Sequence, residues 1–387
     1  MNIKNNIPKF YLFASFRELM FIIPVIVLFW QANGLSLTQI MILQALFAIS
    51  IVILEVPTGV VADKVGRKQS LIVGAFFTLL GAIAYFLGTN FWQFFGAEFT
   101  WALGSSFISG ANSAFVYESL RQRRKQKHFK KIWGNAKSLG YLAAAISGII
   151  GGLVAVYSLR LNWLLVAIGM FFMLMVSLTF KEPHHYKKVK KTSYWQHTKE
   201  SFHEAFTNKN ILFLLLFHAL GATIARISLW FYQPYMNESG LPIAYFGIVW
   251  ASFSIFAITG AKSANKLDEI LGENKSLWLV VLLSVLSLVF MSYWFVIFGF
   301  IFIFMQQFVR GFSPVIINDY THKHLSPDKR ATLLSIQSMA GSLMFAILGP
   351  LYGWFADKYS LSTALMITAV SFFIAFSLLM FWRKRGR

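Results

Sequence analysis

The 387-residue chain contains no cysteine, so no disulfide brackets it and no thiolate can hold a metal. Charge is scarce: Asp, Glu, Lys and Arg make up 13% of the residues, about half the share in a soluble domain. Acidic residues are scarcer still, 15 against 35 basic ones, for a formal net charge of +20. With 57% of residues hydrophobic and a mean hydropathy of +0.60, the chain lacks the polar surface to enclose its own apolar mass. A soluble enzyme is therefore excluded. No Gly-x-x-x-x-Gly-Lys-Ser/Thr loop for ATP occurs, no His or Asp cluster falls at metal spacing, and no Ser-His pair lies at one depth. An enzyme is not expected, and neither is a cofactor or a metal. The N-terminus runs from Met-Asn-Ile-Lys straight into an apolar stretch too long for a signal h-region, so no cleaved leader is expected.

What the chain has is apolar runs of membrane-spanning length, about 20 residues each. Reading them between polar or turn breaks gives twelve spans: 9–30, 38–61, 69–88, 91–119, 133–156, 162–180, 210–235, 243–265, 276–291, 293–319, 331–356 and 361–382. The weakest cut lies between the ninth and tenth, where only Ser292, Tyr293 and Trp294 interrupt the run. Charge decides the count. With the N-terminus inside, thirty of the 35 Lys and Arg fall in inside loops, two (Arg160 and Lys358) outside, and three (Arg17, Arg226 and Arg310) within spans. This asymmetry is what the translocation preference against Lys and Arg produces. It predicts an all-α polytopic protein of the plasma (cytoplasmic) membrane with both termini cytoplasmic. It also explains the +20 without nucleic acid as a partner.

Residues 181–209 form the longest polar stretch and divide the chain into six-helix halves, 1–180 and 210–387, joined by a cytoplasmic loop. The halves repeat. A shift of 206 residues pairs Gly34-Leu35 with Gly240-Leu241, Ala45 with Ala251, Phe47 with Phe253, Gly66 with Gly272 and Ser70-Leu71 with Ser276-Leu277. Asp63 falls opposite Glu269. Two parallel six-helix repeats are one of the known transporter plans.

After the second span the chain reads Gly59-Val-Val-Ala-Asp63-Lys64-Val-Gly66-Arg67-Lys68. The chemistry of this loop is intelligible by itself. A tight hairpin needs Gly59 for close helix approach and Gly66 for the turn. Asp63 can satisfy amides at a helix N-terminus, and Arg67 offers a forked donor to a carboxylate, for which Glu118 is the expected partner. The loop resembles the signature Gly-x-x-x-Asp-Arg/Lys-x-Gly-Arg-Arg/Lys of the major facilitator superfamily at every defined position and in the right hairpin. Span count, central loop and duplication extend the resemblance over the whole chain. It implies two pseudo-symmetric halves working by alternating access, with Gly59, Asp63, Lys64, Gly66, Arg67, Lys68 and Glu118 as a cytoplasmic latch. Span five, with Gly140 and the run Ser147-Gly148-Ile-Ile-Gly151-Gly152, is similar to the glycine-rich stretch of the 12-span drug/proton antiporter branch. It departs from that pattern in having Gly148 where the branch has proline, and span four lacks the branch's arginine.

Ionisable residues inside a membrane are costly and point to function. Arg17 and Glu18 lie on span one, Glu98 and Glu118 on span four, Arg226 on span seven, and Arg310 and Asp319 on span ten. The resemblance implies that these four helices line the central cavity. At 1.5 Å per residue, Arg17 and Glu18 sit about 12 Å from the inner end. Successive helical residues point about 100° apart, so Arg17 and Glu18 are not expected to face one spot. Glu18 is the expected proton-carrying carboxyl, with Arg17, Arg226, Arg310, Glu98 and Trp101 as further coupling or substrate residues. The expected function is proton-coupled efflux of an amphipathic small molecule by a monomer in the lipid bilayer. Import of an anionic metabolite and a non-transporting membrane receptor are the alternatives.

Overall fold

In a bilayer the backbone has no partner but itself, so apolar runs of this length must become helix. The computed structural model describes residues 3–183, 206–323 and 330–385. Among them are thirteen α-helices and no strand. The first half contains α1 (Asn6–Arg17), α2 (Ile26–Ala32), α3 (Leu37–Val65), α4 (Arg67–Leu87), α5 (Phe91–Arg121), α6 (Phe129–Ala155) and α7 (Leu159–Leu178). The second half contains α8 (Lys209–Glu238), α9 (Phe246–Leu271), α10 (Glu273–Tyr293), α11 (Phe300–Lys323), α12 (Arg330–Lys358) and α13 (Leu361–Arg385). Ten of these are long and apolar enough to cross a membrane. The other two crossings are α5, whose 31 residues are diluted by Gly, Ser, Asn and Glu, and the first span, which is α1 and α2 in two pieces.

The break in span one has a local cause. Pro24 has no N–H, and its ring clashes with the carbonyl four residues earlier, that of Met20. The helix ends at Arg17, Glu18 takes φ −92° and ψ 3°, and a short 3-10 turn at Ile23–Val25 restarts the span. A second departure from the sequence reading concerns span ten. It begins at Phe300 and not at 293, because 294–299 is non-helical and serves as a corner. There Tyr235 donates to the Trp294 carbonyl (2.6 Å) and Ser362 to the Ser292 carbonyl (2.7 Å).

The duplication is written in the turns. The glycines with positive φ are Gly34 (82°), Gly66 (119°), Gly240 (78°) and Gly272 (74°). They are two pairs at the 206-residue shift, so both halves make the same two turns in the region that favours glycine.

The helices group into two compact units. One comprises Met1–Leu35, Leu46–Val189 and Ile243–Trp250; the other comprises Ser36–Ala45, Lys190–Pro242 and Ala251–Arg387. In the first, α4 and α5 approach so closely that a Cβ on Gly104 would lie 2.7 Å from the Gly74 carbonyl oxygen, the small-residue packing that membrane helices use. Asn6 ties the start of this unit to its end, donating to Ser119 Oγ (3.1 Å) and to the Lys181 carbonyl (2.8 Å). In the second unit, Asp357 accepts from the backbone N–H groups of Leu37 (2.9 Å) and Thr38 (2.7 Å), capping the N-terminus of α3 from the end of α12.

Candidate functional site

In the first unit, α1, α5 and α6 line a partly open cleft with a cavity volume of about 30 Å³. α1 contributes Phe10, Phe13, Ala14 and Arg17, with Glu18 just past its end; α5 contributes Asn112; α6 contributes Trp133, Ala136, Lys137, Gly140 and Tyr141. Because α1 ends at Arg17, Glu18 leaves the helical spiral and lines the same pocket as its neighbour. The expectation that the two point apart assumed an unbroken helix, and Pro24 removes that premise.

The walls are aromatic. Phe10 and Trp133 stack with centroids 6.0 Å apart, and Lys137 Nζ lies 5.8 Å from the Trp133 ring centroid, within cation–π reach. The charged groups are one carboxylate (Glu18) and two cations (Arg17 and Lys137), beside the Asn112 amide and the Tyr141 hydroxyl. The Asn112 side-chain oxygen is buried with no hydrogen-bond partner. Such an acceptor is a place for a ligand donor, since an unmet buried acceptor costs about 1–3 kcal/mol. Asn112, Trp133, Lys137 and Tyr141 did not emerge from the sequence. Their signal is the line 133, 137, 140, 141 on one face of α6, at the 3–4 residue helical spacing.

The glycine-rich stretch of α6 fits the broken span. A Cβ on Gly140 would sit 3.0 Å from Glu18 Cγ, one on Gly148 would be 3.6 Å from Pro24 Cγ, and one on Gly151 would fall 2.8 Å from the Phe21 carbonyl carbon. Ser147 Oγ lies 3.5 Å from the Glu18 carbonyl. Gly152 packs instead on Gly247, where a Cβ would lie 2.8 Å from its nitrogen. The carboxyl on span one and the glycines on span five, separate features in the sequence, are one packing unit.

Glu98 and Trp101 are elsewhere in this unit. Glu98 is 7% exposed and accepts from the Tyr85 hydroxyl beneath a stack of rings. Tyr85 and Trp163 are parallel at 4.1 Å, with Trp101 edge-on to Trp163 at 6.2 Å. Neither Glu98 nor Trp101 lines the pocket. In the second unit, Arg226 donates to Ser342 Oγ (2.9 Å), and Arg310 is exposed on α11. Asp319 pairs with Lys323 at 2.7 Å, both exposed, and this hydrogen bond raises the Lys323 ammonium above its ordinary range. Among the described residues, no group of three or more His, Asp or Glu is placed to hold a metal ion.

At the Gly66 hairpin, Arg67 pairs with Asp63 and lies 3.6 Å from Glu118. The helix cap is made by another residue. Glu182 accepts from the backbone N–H groups of Arg67 (2.7 Å) and Lys68 (2.9 Å), so the amides expected to meet a hairpin carboxylate meet one from the end of the first half. Asp63 is left to hold the Arg67 guanidinium, whose side chain is 8% exposed. Gly59 packs against Gly110, where a Cβ would approach the Gly59 Cα to 3.3 Å.

Residues 10–348 match the family model of the Major Facilitator Superfamily. The chain belongs to that superfamily. It is 24% identical over 404 residues to YxaM of Bacillus subtilis (strain 168), an uncharacterized MFS-type transporter, covering 93% of this chain and 92% of the relative. Over 222 residues it is 28% identical to Multidrug resistance protein 2 of the same organism, about half of each chain (53% and 52%). Among solved structures, the nucleoside transporter NupG superposes with a TM-score of 0.81 at 14% identity, covering 98% of this chain and 99% of the other. At that identity the likeness shows the superfamily fold alone. The chain is thus a multi-pass membrane transporter of this superfamily, built on twelve helical spans in two repeated halves.

Proposed function

We propose that the protein exports an amphipathic, ring-bearing small molecule in exchange for protons across the plasma membrane, with both termini cytoplasmic. The observation that carries this reading is the pocket at the break of span one. A titratable carboxyl, Glu18, stands at an interrupted helix among Phe10, Phe13 and Trp133. Interrupted spans are where transporters of several folds place substrate and coupling groups. In this reading Glu18 carries the proton, and a substrate that binds the same walls exchanges with it. The likeness to a multidrug resistance protein supports the direction and the substrate class. In this scheme Asp63, Arg67 and Glu118 act as a latch between transport states, and Arg226 and Arg310 tune the coupling from the second half.

One observation favours a second reading. The pocket holds two cations, Arg17 and Lys137, against one carboxylate, a balance suited to the import of an anionic metabolite. The two readings separate in inside-out vesicles, acidified inside and carrying a pH-sensitive dye. Export predicts proton release on adding cationic or neutral aromatic compounds, abolished in Glu18→Gln and retained in Lys137→Gln. Anion import predicts no release with those compounds and uptake of anions into right-side-out vesicles that falls at least tenfold in Lys137→Gln. Proton release unchanged in Glu18→Gln would remove Glu18 from the mechanism.

A further inference from the structure

The second unit carries a groove outside the candidate transport site. It lies between the start of α10 and the end of α13, has a cavity volume of about 430 Å³, and is lined by Asn274, Trp278, Ser377, Met380, Phe381, Arg383 and Lys384. Arg383 is held rigidly. It pairs with Glu273, donates to Asn274 Oδ1 (3.4 Å) and stacks over Phe213 at 4.5 Å. Glu273 is thereby engaged, and the remaining charge at the groove is basic: Lys384 is exposed, and Arg385 lies 4.5 Å over the Phe381 ring.

Two polar atoms of the lining have no partner, although both are buried: Arg383 Nε and Ser377 Oγ. Arg383 as a whole is only 8% exposed. A buried guanidinium N–H and a buried hydroxyl in one groove call for an acceptor. The exposed side chains beside them on α13 are apolar, with Phe373 40%, Leu378 64% and Phe381 52% exposed. In a membrane protein such side chains face acyl chains. Basic donors at the end of a spanning helix with exposed apolar side chains beside them match a lipid with a charged head, and basic recesses between spanning helices bind such heads.

We infer that this groove binds an anionic phospholipid. The phosphodiester is held by Arg383 Nε, Ser377 and Lys384, and the acyl chains lie along Trp278, Met380 and Phe381. The source is the bilayer and not a soluble phosphate ester, because the groove is lined by Trp278, Met380 and Phe381 as well as by the donors, and Phe373, Leu378 and Phe381 are exposed beside it.

Native mass spectrometry of the full chain, titrated with phosphatidylglycerol or phosphatidylcholine, tests this directly. The expected result is at least tenfold tighter binding of phosphatidylglycerol, falling at least fivefold in Lys384→Gln, whose exposed side chain leaves folding intact. Ser377→Leu, which fills the groove, is expected to displace the lipid as well. Equal retention of the two lipids, or unchanged retention in Lys384→Gln, would overturn the proposal. Displacement of the lipid by millimolar glycerol phosphate would overturn the bilayer as the source.

Discussion

Replacing Gly151 by alanine tests how span one is held. A Cβ at this position would stand 2.8 Å from the Phe21 carbonyl carbon and 3.1 Å from its Cα. The Phe21 carbonyl oxygen is closer still, well inside van der Waals contact; ordinary contacts are about 3.5–4.0 Å, so α6 or the Phe21 backbone must move by more than ~1 Å. Backbone cannot rotate out of the way as a side chain can, and overpacking of this kind costs about 1–3 kcal/mol. Alanine recovers about 1 kcal/mol of helix propensity, leaving a net loss of up to about 2 kcal/mol. That is a melting temperature lower by on the order of 2–6 °C. Two reference variants set the scale. Gly148→Ala meets Pro24 Cγ at 3.6 Å, an ordinary contact, and Gly134→Ala meets nothing within 4 Å; both are expected at or above the parent. The melt is read by intrinsic fluorescence from the 12 tryptophans, since the chain has no cysteine for a thiol dye. If Gly151→Ala melts no lower than Gly134→Ala, the close seating of the broken segment on α6 is wrong.

Further outcomes follow from the same geometry. Glu182→Ala strips the acceptor from the Arg67 and Lys68 amides and is expected to cost about 1 kcal/mol, while Glu182→Gln, keeping one acceptor, costs less; thermal melts in detergent rank the two. Gly34→Ala and Gly240→Ala both meet open space, so each loses only the positive-φ penalty of about 1–2 kcal/mol, and unequal losses would break the equivalence of the two turns. Tyr85→Phe takes the hydroxyl donor from buried Glu98 and is expected to destabilise by about 1–3 kcal/mol; Glu98→Gln, which can still accept from Tyr85, is expected to be the milder change in the same melts.

Much of the fold could be read from the chain because lipid permits so few solutions. Apolar runs become helices, and the spans agree with the helices to within a few residues along most of the chain. The departures occur where a side chain overrides the run. Pro24 sits inside a stretch that is otherwise continuously apolar, and its backbone effect outweighs hydropathy there. Ser292, Tyr293 and Trp294 mark a cut, but the residues from Phe295 to Phe298 stay apolar, so composition does not show that the chain remains non-helical to 299. Glu18, Arg17 and the span-five glycines stood out as costly charges and close-packing residues. Asn112 and Lys137 did not, because a lone amide or a lysine near a helix end is unremarkable until its neighbours are known. Glu182 was hidden for a different reason: its partner amides lie more than a hundred residues away, and no local pattern connects them.

The repeated turns also show what duplication leaves free to change. Gly66 and Gly272 keep the same left-handed backbone, yet the residue that follows each has opposite sign: Arg67 in the first half and Glu273 in the second. Each has found a counterion suited to its own sign, Arg67 with Asp63 and Glu118, Glu273 with Arg383. The two hairpins therefore carry opposite charge at the residue after the glycine on one backbone template. Exchanging the loops between halves would preserve every turn while setting like charge against like, Arg67 beside Arg383 and Glu273 beside Glu118.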